Sequence, residues 1–439
     1  MKLIHAITTK IDSLFNIGES SRFRKNFLKV LRASFLAQII PLLSTPLLTR
    51  LYSPDEFGII VLLISLLGFL LTFSTWRVEW AIPNAENDQE EISLIFIGLG
   101  FLAISCVLSI FLIYVSLTIL FKETQLVLLL PYLPIITVAL AGLGITQVLT
   151  GSSIRHADMH PVSIAVVFRT TVVVLSSIAL GVQGFTQLGL MIANVLGFWA
   201  ETITLVRLST INFFLVMRAR LKEVFKVWKK YRSECSVSVA VGIVNYGFIT
   251  LLPLSLAATY SVKEVGYYAI ANKVAIAPVS LISKAVSQSF WAESSKLAKE
   301  NPFLLRKVYK QTLFRLLALS ILPMLGCLSG PVYMGTIFGQ TSWADAGVLL
   351  AAMTPQVIGT FIFGSTNHLT VYSKQKYQLL SDFMTIIFCL AWLRLAIAIK
   401  IGFVITITGI SSITLFGYIL RFAFHLKANK DYIDEFNSI

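Results

Sequence analysis

Eight ionisable residues lie inside long apolar stretches of this sequence. They are the cations Arg77, Arg169, Lys273, Lys284 and Arg394 and the carboxylates Glu79, Glu201 and Asp382. A charge at the centre of a bilayer costs about 2.5–3.5 kcal/mol on insertion scales, so it normally faces a cavity or a partner. Buried cations can hold an anion through charge-assisted hydrogen bonds. Buried carboxylates can pair with those cations or carry a coupling proton. Lys273, Lys284, Arg77 and Arg169 form the candidate anion-binding set, and Glu79, Glu201 and Asp382 are the candidates for ion coupling. Arg77 and Lys284 fall near span ends, where snorkelling to the interface is the alternative reading. On one continuous helix Arg77 and Glu79, two residues apart, would not face each other. Asp382 and Arg394 read as interfacial or paired between helices.

Other chemistries find little support. His156 and His160 have a metal-like spacing, but Pro161 follows and no third ligand is evident. His368 reads as a hydrogen-bonded helix residue. Cys106, Cys235, Cys327 and Cys389 are scattered through or beside apolar runs and read as small apolar side chains. There is no phosphate-binding loop, nucleophile elbow or carboxylate pair in an aqueous segment. The expectation is therefore a non-enzyme without cofactor or metal. A membrane polymerase or glycosyltransferase would need an aqueous domain that the short outer loops do not provide.

The elements that must position these charges are membrane spans. Of 439 residues, 56% are hydrophobic and 13% charged, with mean hydropathy +0.80, against about 45–50% and 25% for a soluble domain. Runs long enough to cross a bilayer occur at roughly 31–50, 57–80, 92–121, 126–150, 162–183, 187–208, 236–258, 265–291, 311–333, 346–370, 379–400 and 402–420. With both termini cytoplasmic, 27 of the 36 Lys and Arg residues fall on the inner side. Only Arg50, Lys122, Lys263 and Lys400 fall outside, which satisfies the positive-inside rule. That asymmetry explains the net charge of +14 without nucleic acid. The loop PNAENDQEE at 83–91 runs against the trend.

The fold expected is an all-α integral membrane protein with about twelve spans in two pseudo-symmetric six-helix bundles. Residues 1–30 form a cytoplasmic tail, 31–208 one half, 209–235 a linker, 236–425 the second half and 426–439 a second tail. Within the linker, Leu221, Val224, Phe225, Trp228 and Tyr231 share one stripe and lysines flank it, so it reads as an amphipathic helix lying on the inner leaflet. Recognition of an anionic lipid substrate is the functional alternative for that helix.

The halves are linked by a repeated phrase, LYSPDEFG at 51–58 and TYSVKEVG at 259–266. At an offset of 208, Tyr52, Ser53, Glu56 and Gly58 align with Tyr260, Ser261, Glu264 and Gly266. Ser followed three residues later by Glu is the capping-box spacing, and Pro54 suits a first helical position. Each phrase therefore starts a helix at the outer face, with its tyrosine at interface depth. Related halves are a transporter signature. Counting inward from the second copy reaches Lys273 after roughly 12 Å and then Lys284. Counting from the first reaches Arg77.

Four passages resemble the oligosaccharide flippase family, the O-antigen and capsule translocases of the superfamily that also holds multidrug (MATE) exporters and lipid II flippases. They are QIIPLLSTPLLTRLYSPDEFG at 38–58 with Arg77, Glu79, Ala81 and Ile82; TYSVKEVGYYAIANKVAIAPVSLISKAVSQSFW at 259–291, with Lys273 and Pro278; IFGQTSWADAGVLLAAMTPQVIG at 337–359; and SKQKYQLL at 373–380. Lys273 stands where the family often has Arg, and Ser373 replaces its usual loop Gly. The resemblance implies alternating-access translocation of a polyprenyl-pyrophosphate-linked oligosaccharide to the outer leaflet of a bacterial inner membrane. It further implies membrane lipids as partners, with polysaccharide polymerase and chain-length machinery as further ones. A cation-coupled multidrug exporter of the same fold and a lipid II flippase remain the alternatives.

Overall fold

A computed structural model describes residues 21–437 except 121, 123, 210, 212–215, 217, 219, 301, 339, 365, 367, 368 and 373. His368, Ser373 and residues 1–20 therefore lie outside the described residues. Everything described is helix, turn or loop, with no strand among the described residues.

The first half contains α1 (Ser21–Leu51), α2 (Pro54–Ser74), α3 (Asp88–Val115), α4 (Leu133–Arg155), α5 (His160–Val182) and α6 (Gln187–Leu208). The second contains α7 (Leu221–Thr259), α8 (Val262–Glu300), α9 (Pro302–Leu319), α10 (Ile321–Leu328), α11 (Gly330–Phe338), α12 (Ala344–Ala352), α13 (Thr354–Ile362), α14 (Gln375–Ala398) and α15 (Phe403–Asn437). Among the described residues nine helices are long and apolar enough to cross a membrane. The pair α12 and α13, bent by 51°, makes a tenth, and α1 and α7 carry shorter apolar stretches, Phe35–Leu51 and Thr250–Thr259. These account for the expected twelve.

Both copies of the repeated phrase start a helix in the same way. The Ser53 backbone N–H donates to Glu56 Oε2 at 2.6 Å, and the Glu56 N–H donates to Ser53 Oγ. Ser261 and Glu264 repeat the arrangement at 2.9 and 3.2 Å. Each reciprocal box satisfies orphan donors at a helix start. The two tyrosines are held by protein partners. Tyr52 is 2% exposed and donates to the Ser177 carbonyl of α5 at 2.7 Å. Tyr260 donates to the Ile401 carbonyl, between α14 and α15, at 2.9 Å. Each phenol thus ties its helix start to a helix hairpin of its own half. A phenol surrounded by protein must find a partner. For Tyr52, burial and then the nearby Glu56 carboxylate push the phenol up to about 12.

One core cluster runs through both halves, from Leu62 and Leu140 to Val265, Ile270 and Trp343. Trp343 is fully buried and donates to the Thr49 carbonyl of α1 at 2.8 Å. Its ring meets Phe57 and Tyr267 edge-on at 5.3 and 6.0 Å. A second cluster lies where α2 ends and α3 begins and includes Val227, Tyr231 and Cys235 from the start of α7.

That second cluster corrects the linker. Residues from Leu221 onward are the first turns of α7, continuous with the stretch expected as the seventh span, and not a separate linker helix. Val224, Val227, Trp228 and Tyr231 pack on the first half, while Leu221 and Phe225 stay exposed. The acidic loop supplies the reason. Lys230 pairs with Glu86 at 2.7 Å and Glu90 at 2.8 Å, Tyr231 donates to Glu90 at 2.9 Å, and Asn84 donates to Glu234 at 2.6 Å. Hydrogen bonds donated to Glu86 and then to Glu90 hold the Lys230 ammonium above the ordinary lysine range. The one loop that broke the charge rule is the docking surface for the most basic segment between the halves.

Candidate anion-binding site between the halves

The structure separates the eight charged residues into those that meet a counter-charge and those that do not. α2 stops at Ser74, short of the predicted end at residue 80. Trp76 and Arg77 then take left-handed backbone conformations, with φ of 51° and 55°, and two short 3₁₀ turns follow. This reversal brings Arg77 to within 3.8 Å of Glu79. The expectation that the two do not face each other was wrong, because it assumed one unbroken helix. Glu79 also accepts from Thr75 Oγ1 and Gln147 Nε2, both at 2.7 Å. Both charges are buried. The Arg77 guanidinium lies so close to Gly242 of α7 that a Cβ there would overlap it. Arg77 therefore sits on the seam between the halves, just past the end of α2.

Arg169 of α5 pairs with Glu201 of α6 at 3.0 Å and stands 4.7 Å from the Phe198 ring centre, a cation–π arrangement. Gly197 allows the close approach of these helices, since a Cβ there would overlap Val173. Asp382 of α14 pairs with Arg421 of α15. Sequence reasoning missed Arg421, which lies one residue beyond the last expected span at 402–420, because α15 continues to Asn437. The missed signal was the absence of a stop: no Gly or Pro follows the last span before residue 437.

Lys273 and Lys284 differ. Both lie on α8, and neither has a carboxylate or hydrogen-bond partner among the described residues. Lys273 is half-buried and Lys284 exposed. Arg394, near the outer end of α14, is likewise exposed and without such a partner among the described residues. His156, one of the two metal-like histidines, instead contacts the Glu91 carboxylate at 3.1 Å. That carboxylate also receives Ser152 and Arg155, and His160 opens α5 with its ring exposed.

Two halves joined through one apolar core, each half beginning its second helix with the same capped phrase, define a multi-pass helical membrane protein with a pseudo-symmetric transporter fold. Residues 47–346 match the family described as polysaccharide biosynthesis protein, and the chain belongs to that family. No curated protein matches the sequence. Among solved structures, lipid II flippase MurJ in an inward closed conformation matches with TM-score 0.67 and 13% identity, covering 91% of this chain and 87% of MurJ. An inward-facing multidrug resistance MATE transporter of the MOP superfamily matches with TM-score 0.57 and 15% identity, over 96% of this chain and 97% of its own. The eukaryotic MATE transporter AtDTX14 matches with TM-score 0.55 and 15% identity, over 94% and 99%. At these identities the likeness is one of fold.

Proposed function

We propose that the protein is a flippase of the bacterial inner membrane, with both termini cytoplasmic. It carries a polyprenyl-pyrophosphate-linked oligosaccharide from the inner to the outer leaflet by alternating access. The observation that carries this reading is Lys273, a cation inside a span of a polysaccharide biosynthesis family member, with no counter-charge among the described residues. Such a charge is costly unless an anion or water meets it, and a pyrophosphate is a fitting anion. Lys284 extends the cationic surface toward the inner end of α8, and Arg77, against Gly242 of α7, joins it only if its pair with Glu79 opens. Arg169 serves the cargo less directly, because Glu201 already neutralises it. Outward movement of each negative charge down an inside-negative potential gains about 2.3 kcal/mol per 100 mV, so the cargo supplies much of its own driving force.

A drug–cation exporter would need carboxylates open to the cavity. Glu79, Glu201 and Asp382 each face an arginine, which disfavours that reading and leaves ion coupling through them dependent on breaking those pairs. The test is Lys273→Ala and Lys273→Glu, assayed for surface polysaccharide at equal protein level. Both lose export if the cavity is cationic, and Lys273→Arg keeps it. Normal export by Lys273→Glu overturns the reading.

A further inference from the structure

A groove with a volume of about 970 Å³ runs along the seam of the two halves. α2 and the outer end of α3 line it from the first half, and α7 and α14 line it from the second. Its walls are almost wholly apolar, with Phe69, Leu117 and Leu254 among them. The polar residues that line it are few, Ser116, Ser255, Thr259 and Arg394, and each belongs to the C-terminal end of its helix, α3, α7 or α14. Thr259 is the last residue of α7, and Arg394 lies four residues before the end of α14, about 6 Å along the axis. The polar end is thus at the outer ends of the helices. The opposite end reaches Phe73, four residues before Arg77.

Charge pairing across the spans gives this groove its meaning. Arg77, Arg169 and Arg421 each meet a carboxylate. Lys284, Lys273 and Arg394 do not among the described residues, and they fall toward the inner end, the middle and the outer end of their helices. An apolar channel lined toward its outer end by a cation without a counter-charge among the described residues and by three hydroxyl side chains suits one kind of ligand, a long hydrocarbon chain carrying a phosphate. Both halves line the groove, so rocking one against the other changes its width. Cargo must be released in this way, whereas a passive annular lipid has no need of it.

We propose that this groove is the release site of the transported lipid, its polyprenyl chain lying against α2 and α7 and its phosphate held by Arg394 after crossing. The inference rests on the lipid-linked cargo proposed above. The experiment uses the full-length protein in nanodiscs with a photoactivatable polyprenyl diphosphate. Labelled positions are mapped on α7 and α14 for the groove and on α8 for the lysine surface. Wild type labels both. Arg394→Gln lowers groove labelling about tenfold, as loss of one charge-assisted contact predicts, and leaves α8 labelling intact. Leu254→Trp, which fills the groove without touching the cation, has the same effect, and Arg394→Lys retains labelling. Unchanged labelling in Arg394→Gln overturns the release site. So does equal labelling by the phosphate-free polyprenol, or displacement by phosphatidylglycerol at matched concentration, which marks a bulk-lipid site. Failure of both the groove and α8 to label overturns the lipid-cargo reading itself.

Discussion

Gly58 and Gly266 occupy equivalent places in the repeated phrase, and each is pressed against the other half's copy of it. A Cβ on Gly58 would overlap the Val262 carbonyl oxygen, and one on Gly266 would overlap that of Pro54. Positions 54 and 262 are themselves 208 apart, so the contact is reciprocal, as at a two-fold interface. The internal symmetry axis passes between the starts of α2 and α8, which closes the end of the molecule taken as outer.

Enlarging either glycine must push α2 and α8 apart. Gly266→Leu should disfavour the closed arrangement by about 1–3 kcal/mol, the usual cost of overpacking. A cysteine at Val262, buried at this contact, should then react with an impermeant thiol reagent several times faster than in the Gly266 background. Equal rates would show that the contact does not hold the two helices together.

Glu79 is the counter-charge of a buried arginine and the acceptor for two further side chains. Breaking a buried pair costs about 3–5 kcal/mol. Glu79→Ala should lower the detergent melting temperature by several degrees. Glu79→Gln, which keeps an acceptor oxygen, should lose less.

The Arg169–Glu201 pair joins α5 to α6 with one partner partly exposed, so its coupling should be smaller. A double-mutant cycle with alanine should give about 0.5–1.7 kcal/mol, the range of side-chain hydrogen bonds within membranes. A value near zero would release Glu201 for another role.

Docking of the basic start of α7 depends on the pairs of Lys230 with Glu86 and Glu90. Lys230→Glu should expose the segment around Arg232 to trypsin, and Glu90→Lys in the same chain should partly restore protection. High salt should weaken protection in wild type, because these groups are near solvent. The lysine pKa is raised on folding. Its contribution is therefore complete below the ordinary lysine value and lost as pH rises through the folded value. Protection should persist at neutral pH and fail only in strong alkali.

Much of this protein was legible in its sequence. The capping boxes at Ser53 and Ser261 follow from residues three apart, and a hydrophobic run of sufficient length has few alternatives to a spanning helix. The offset of 208 announced two halves, and Lys273 and Lys284 could be placed on one helix by counting. All of these are local patterns or repeats of local patterns. Tertiary structure decided which charges meet. Arg77 faces Glu79 only because Trp76 and Arg77 turn the chain into left-handed conformations. Arg169 and Glu201, 32 residues apart, meet only because α5 and α6 pack at Gly197. The acidic loop at 83–91 found its purpose in a helix about 140 residues away. Tyr52 and Tyr260 could be placed at helix starts, but that each ties its helix to a hairpin of its own half came only from the packing. A residue's type fixes what it can bond, but the partner is chosen by helices brought together from distant parts of the chain, and spacing along one strand of sequence carries no record of that choice.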